Sequence, residues 1–335
     1  MTIKLITSFV LALLFATAFG KYYIPWLKKQ KAEQAIKEEV EQHGGKRGTP
    51  TMGGLIFIFA ACFSCLTVGF EGMLRGEMVH IFLLLFAGVF GAIGFLDDWE
   101  KLKKKQNLGL TAGMKLLLQI AAALVFVLLM RHIGYVRTMF YVPFINQTIF
   151  VPEWLYFVLS AFIIVGTVNA VNITDGIDGL ATGVSIPVLL CFVALCFRWM
   201  DEFFLPSVFA SGLLGGLVGF LFFNFNPAKC FMGDTGSLFL GGAIAGLAYV
   251  YDMPLMLVPL GLVYIIETMS DIIQVAYFKL THGKRVFKMA PFHHHLEMGG
   301  WTGKKWKEKE IFWLFSGISL AMAIISFIGV FHRFG

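Results

Sequence analysis

Apolar residues gather into ten runs, at residues 3–20, 53–70, 79–95, 115–130, 154–170, 180–200, 205–223, 237–251, 255–280 and 311–331. Most come close to the roughly 20 residues that a helix needs to cross the hydrocarbon core of a bilayer. In lipid a segment must satisfy its own backbone hydrogen bonds, so serial apolar runs predict helices. The pattern predicts an all-α polytopic membrane protein with about ten transmembrane helices, organised as a single domain over residues 1–335. No repeat or low-complexity segment divides it.

The polar stretches between the runs predict two further elements. Residues 135–151 are rich in β-branched and aromatic side chains around Asn146, the mark of a short hairpin at the membrane surface. Residues 28–42 are helix formers with Glu33 and Lys37 four apart, which predicts a solvated helix. The first run carries a single early lysine and a long apolar stretch, and it is expected to be a retained first helix rather than a cleaved signal peptide.

Composition agrees with the pattern: 58% of the 335 residues are hydrophobic, 14% are charged, and the mean hydropathy is +0.76. A soluble domain of ordinary composition carries about 25% charge, so that class is excluded. The net charge of +6 matters through its placement. Lysine and arginine crowd into alternate connections, and basic loops stay on the cytoplasmic side. Both termini are therefore expected outside, the hairpin on the outer (periplasmic) side, and loops 21–52, 96–114, 171–179, 224–236 and 281–310 in the cytoplasm. The five cysteines lie mostly within apolar runs, and the Cys62/Cys65 pair has no second pair to make a metal site, so packing is their expected role.

Every chemistry-bearing motif falls in those five loops or at their membrane edges. Asn169, Asn172, Asp175 and Asp178 recur at intervals of three, which puts them on one face of a helical turn between two apolar runs. Carboxylates in such a place are costly unless something cationic is held there. Asp97 and Asp98 end the third run, where a helix dipole disfavours acids and each acid disfavours ionisation of the other, so one can serve as a base. Lys115 opens the fourth run at headgroup level. Asp234 sits between glycines ahead of a helix, where it can cap the helix, bind a metal, or do both. His293, His294 and His295 can donate to phosphates, whereas three adjacent imidazoles converge poorly on zinc. Glu267 and Asp271, four apart in the ninth run, share one helix face.

No nucleotide-binding glycine loop or calcium loop is present, the sequon at Asn172 falls on the cytoplasmic side, and no nucleic-acid partner is expected. Hard oxygen ligands without cysteine favour Mg²⁺ or Mn²⁺. An ion-coupled transporter would place its acids at mid-span, whereas these gather at loop edges on one side. The residues thus point to metal-assisted phosphoryl chemistry on a lipid headgroup.

The motifs DDWEK, NAVNITDGIDGLA, FMGDTGSL and APFHHHLE, with GTPTMGG at residues 48–54, resemble in content and order the polyprenyl-phosphate N-acetylhexosamine-1-phosphate transferases. GTPTMGG and the histidine run point to the muramoyl-pentapeptide branch of that family rather than its N-acetylglucosamine branch. The resemblance implies ten spanning helices, a cytoplasmic Mg²⁺ site, a homodimer and residence in the bacterial cytoplasmic membrane. It implies transfer of phospho-N-acetylmuramoyl-pentapeptide from its UDP-linked form to undecaprenyl phosphate, giving lipid I and UMP. By the same resemblance Asp97, Asp98, Asp234 and His294 would be catalytic. Asp234 would hold the metal, with Asp175 as a second ligand. Lys46, Lys101, Lys115, Asn172, Asp175, Asp178, Phe231, His293, His294 and His295 would bind substrate. Leu108 and Asp271 depart from the family pattern, outside its core motifs.

Overall fold

The computed structural model describes residues 1–30, 48–104 and 109–333, with only the backbone described at 200–202. Lys46 and most of the expected 28–42 helix lie outside the described residues. The chain is helical nearly throughout: α1 (Thr2–Lys29), α2 (Gly54–Val68), α3 (Phe70–Leu74), α4 (Val79–Lys104) and α5 (Ala112–His132) come first. A hairpin of β1 (Met139–Val142) and β2 (Gln147–Phe150) follows, its strands antiparallel with Met139 opposite Phe150. Then come α6 (Glu153–Thr174), α7 (Leu180–Arg198), α8 (Met200–Asn224), α9 (Gly233–Val250), α10 (Leu257–Leu260), α11 (Leu262–Leu280), α12 (Phe292–Glu297) and α13 (Glu308–Val330).

All ten apolar runs are helical, but they are not ten equal spans. Among the described residues seven helices are long and apolar enough to cross a membrane, and an eighth if a bent pair counts as one. The bent pair is the expected 255–280 helix, which turns by 79° between α10 and α11. Pro254, Pro259 and Gly261 cluster at the break; proline removes a backbone donor and glycine weakens the helix, so the run cannot continue straight. α2 has 15 residues and the glycine-rich α9 has 18.

α9 is the axis of the fold. Every residue from Thr235 to Val250 is buried, so this helix touches protein on all sides. Small residues let its neighbours approach to backbone distance: a Cβ added at Gly241 would stand 2.6 Å from Val168 Cα of α6, and one at Gly236 2.7 Å from Gly54 Cα of α2. The hairpin packs beside the Pro254–Met256 turn beyond the C-terminal end of α9, and Phe144 N–H donates to Gly329 O at 2.8 Å. Hairpin and Asp234 thus stand at opposite ends of α9, about 27 Å apart along its axis at 1.5 Å per residue.

Three helix ends differ from the apolar boundaries. α4 continues past residue 95 to Lys104, so Asp97 and Asp98 sit on its last turns rather than in a loop; Lys104 pairs with Glu100 at 2.7 Å, and the lysines suit the negative end of the dipole. α6 continues to Thr174 and carries both Asn169 and Asn172. α9 begins at Gly233, which puts Asp234 inside its first turn; the capping position is Met232, with no side-chain bond.

Candidate active site

The three catalytic candidates on α4 and α9 converge. Asp97, Asp98 and Asp234 each offer an oxygen within 4.8 Å of the others. A Cβ at Gly94 would run into the Asp234 carbonyl and stand 2.7 Å from Thr235 N, so only glycine lets α4 lie against the start of α9. Gly233 takes a positive φ of 73°, and a Cβ there would meet Asp98 Oδ2 and Thr51 Oγ1 at 2.8 Å. Asp98 uses both oxygens on α9: Oδ1 accepts from Asp234 N–H at 3.2 Å, and Oδ2 from Thr235 N–H at 2.9 Å and its hydroxyl at 2.7 Å. The cap of α9 therefore comes from another helix.

Asp97 is placed differently. Its Oδ1 accepts from Leu110 N–H at 2.8 Å, and its Oδ2 faces Lys101 Nζ at 2.6 Å and Lys115 Nζ at 3.8 Å. Both ammonium groups also reach Asp234 Oδ2, at 2.9 and 2.7 Å, and Asn172 Nδ2 donates to Asp234 Oδ1 at 2.9 Å. Asn172 further bonds Ser237 Oγ at 2.7 Å. One turn back, Asn169 Nδ2 donates to Gln119 Oε1 at 2.7 Å, tying α6 to α5 one turn from Lys115.

The turn after α6 divides its two acids. Asp178 is buried and joins loops: its Oδ2 accepts from Asn226 Nδ2 and Ala228 N–H, both at 2.9 Å, and its own N–H donates to Glu308 Oε2 at 3.1 Å. Asp175 is half-buried. Burial and the charges of Asp234, Asp98 and Asp178 hold its carboxyl well above the usual range. Phe231 belongs to a strap in which its N–H donates to Pro50 O and its carbonyl accepts from Gly53 N–H, both at 2.8 Å. GTPTMGG thus runs beside FMGD.

The histidine run forms α12, and its three rings are not equivalent. His293 is wholly buried; Glu267 of α11 accepts its Nδ1–H at 2.8 Å and its backbone N–H at 3.2 Å. The ring lies against Gly176, which joins α12 to the turn after α6. His294 Nδ1 is oriented by Glu297 Oε2 at 2.6 Å. His295 accepts Lys288 N–H on Nδ1 at 3.1 Å and is enclosed by Phe287, Phe292 and Trp301; burial and Lys288 lower its pKa.

The structure thus brings Asp97, Asp98, Asp234, Lys101, Lys115 and Asn172 into one cluster, with Asp175 nearby and His293 reaching it through Gly176. Sequence reasoning missed Thr235, Asn226, Glu308 and the Glu267–His293 pair. Each has a partner far along the chain; only Glu267, an acid in an apolar run, and His293, in the histidine run, carried a signal. The donor set of three hard carboxylates beside an amide fits a small divalent cation. Asp175 stands outside the oxygens that converge. The two lysines occupy the cationic role among them.

A family model described as Glycosyl transferase family 4 matches residues 80–252, and one described as phospho-N-acetylmuramoyl-pentapeptide-transferase signature 1 matches residues 46–58. Curated relatives share the whole length. The chain is 42% identical over 327 residues to a phospho-N-acetylmuramoyl-pentapeptide-transferase of Listeria monocytogenes serotype 4b, covering 96% of this chain and 97% of the relative. It is 43% identical over 327 residues to that of Shouchella clausii, with the same coverage. It is 42% identical over 333 residues to that of Oceanobacillus iheyensis, covering 99% of this chain and 98% of the relative.

Proposed function

The chain belongs to the phospho-N-acetylmuramoyl-pentapeptide-transferases of glycosyl transferase family 4, and on that premise we propose that it transfers phospho-N-acetylmuramoyl-pentapeptide from the UDP-linked precursor to undecaprenyl phosphate, forming lipid I and releasing UMP in peptidoglycan synthesis. The observation that supports it most is the cluster of Asp97, Asp98 and Asp234 faced by Lys101, Lys115 and Asn172. Such a cluster, at the ends of membrane helices, suits a diphosphate held beside a lipid phosphate. The protein then sits in the bacterial cytoplasmic membrane with ten spans, termini outside and this cluster facing the cytoplasm, as a homodimer.

In the reaction an oxygen of the lipid phosphate attacks the β-phosphorus of the nucleotide, and the bond from that phosphorus to the bridging oxygen breaks as UMP leaves. Asp97 is assigned to accept the proton of the lipid phosphate, because its Oδ2 lies among the two lysines that would hold the phosphates, whereas both oxygens of Asp98 hold the backbone turn of α9. Asp98 holds the first turn of α9 and so sets the position of Asp234. Lys101 and Lys115 neutralise charge on the diphosphate as it builds up at the leaving oxygen. His293 and His294, oriented by Glu267 and Glu297, donate to phosphate or sugar oxygens. Asn172, Asp175, Asp178 and Phe231 form the nucleotide side, with Lys46 on the preceding loop and His295 supporting α12. Asp234 with its neighbouring acids Asp97 and Asp98 would hold Mg²⁺, which would supply Lewis-acid polarisation of the diphosphate.

The test uses the purified full chain with undecaprenyl phosphate and each UDP-sugar in turn. UDP-N-acetylmuramoyl-pentapeptide gives UMP and the lipid-linked product, and both are lost with a chelator or with Asp234→Asn. Preferential consumption of UDP-N-acetylglucosamine would place the chain in the other branch and sink the proposal.

A further inference from the structure

Away from these acids, a largely apolar cavity rimmed by lysines lies where the last turns of α1 meet the end of α8. Lys21, Ile24, Pro25 and Lys28 are spaced three, one and three apart, which aligns them on one face of α1. With Phe223 and Lys229 from the other side, that face lines a cavity of about 180 Å³. A side chain at position 20 would collide with the Phe223 ring, so Gly20 lets the two helices close the apolar floor.

The walls carry one sign of charge. Three lysines and no acid line the cavity, and none of Lys21, Lys28 and Lys229 has an ion-pair partner among the described residues. Elsewhere Lys4 pairs with Glu71, Lys104 with Glu100 and Lys304 with Glu310, whereas exposed lysines such as Lys103 and Lys305 have no ion pair among the described residues. On the adjoining face of α1, Tyr22 and Trp26 are 80% and 52% exposed, the amphipathic rings that settle at the headgroup level of a bilayer.

We propose that this cavity binds the headgroup of an anionic phospholipid, its phosphate among the three lysines and its glycerol carbons on Ile24 and Phe223. Basic pockets between membrane helices recognise such headgroups, and a free phosphate gains nothing from the apolar floor. The site rests on α1 spanning the membrane and is independent of the transferase reading. It reaches the active site mechanically. Lys229 N–H donates to Phe223 O at 2.7 Å, and the segment it opens delivers Phe231 to the Pro50 strap and leads into Gly233 and Asp234. A headgroup on Lys229 braces that segment.

The experiment follows thermal unfolding of the full chain in phosphatidylcholine vesicles with and without phosphatidylglycerol. Ligand binding to the folded state raises the unfolding midpoint, so phosphatidylglycerol shifts it upward by several degrees. Combined Lys21→Gln, Lys28→Gln and Lys229→Gln reduces that shift by roughly half or more, since each lysine near the surface adds to the attraction for an anionic headgroup. The matching Lys→Arg combination retains it, and Lys229→Gln alone, in an exposed loop, reduces it in part should the combined variant not fold. A full shift in a glutamine variant that folds overturns the proposal. So does an equal shift of the wild type in phosphatidylcholine with soluble glycerol phosphate, which would identify a free-anion site.

Discussion

Asp98 caps the helix that carries Asp234, across 136 residues of sequence: it accepts Asp234 N–H at 3.2 Å, and Thr235 N–H and hydroxyl at 2.9 and 2.7 Å. The neighbouring Asp97 bonds none of the backbone N–H groups of that turn and instead shares Lys101 and Lys115 with the Asp234 carboxylate. Adjacent acids thus have separate surroundings, Asp98 on the backbone of α9 and Asp97 among the lysines.

This division gives the first prediction. Asp98→Asn turns an acceptor into a donor against the α9 N–H groups, at a cost of about 1–3 kcal/mol. Its thermal midpoint falls together with its turnover. Asp97→Asn removes turnover by roughly a hundredfold or more while the midpoint stays near that of the wild type. An Asp98→Asn protein as stable as the parent would refute the capping role.

Asp175 is predicted to act in the opposite direction on stability. Burial and the charges of Asp234, Asp98 and Asp178 raise its pKa in the folded state above the unfolded value. A group raised in this way favours the fold fully below the ordinary aspartate pKa, and that contribution is lost as pH rises through the folded value. In chelator-treated protein at neutral pH, Asp175→Asn therefore raises the thermal midpoint, and its stability declines less between acid and neutral pH than that of the wild type. Mg²⁺ narrows the difference. A midpoint lowered by Asp175→Asn would show that the carboxylate is stabilised as an anion.

Much of this was legible in the chain, and the illegible part has a physical pattern. Apolar runs announce helices because lipid leaves them no other choice, and the acids of DDWEK and FMGDTGSL stand out because charge beside such runs is costly. Helix ends were less legible: α4 runs on to Lys104 through polar residues that are good helix formers, and hydropathy is blind to that. The break at Gly261 was written in Pro254, Pro259 and Gly261, yet an apolar count passes over it. Pairings such as Asp178 with Asn226 or Asp98 with Thr235 depend on which helices meet, which no local pattern states.

Glu267 supplies the third prediction. It is a buried acid whose carboxylate fixes both the ring and the backbone of His293. Glu267→Gln weakens that orientation and lowers kcat by roughly tenfold or more, equivalent to about 1.4 kcal/mol, with little change in KM for the nucleotide. Asp271, one turn on, makes no hydrogen bond or ion pair among the described residues, and Asp271→Asn leaves activity unchanged. Equal losses in the two variants would mean that charge in this helix matters rather than the hold on His293.

The contact between α4 and α9 offers the last test, through two glycines of one helix. Gly94→Ala drives a methyl group into the Asp234 carbonyl and to within 2.7 Å of Thr235 N, both backbone atoms that cannot step aside singly. The helices must separate, at about 1–3 kcal/mol for overpacking, and the displacement falls on the spacing of Asp97, Asp98 and Asp234. A shift near 1 Å in such a constellation costs roughly a hundredfold in rate, so activity falls further than stability does. Gly88→Ala, two turns earlier on α4, meets nothing within 4 Å and stays within about 1 kcal/mol of the parent, with full activity. Measuring turnover and thermal midpoint for both separates a general intolerance of alanine in α4 from the specific need for backbone contact at Gly94. Equal behaviour of the two variants would remove that contact as the device that sets the three carboxylates.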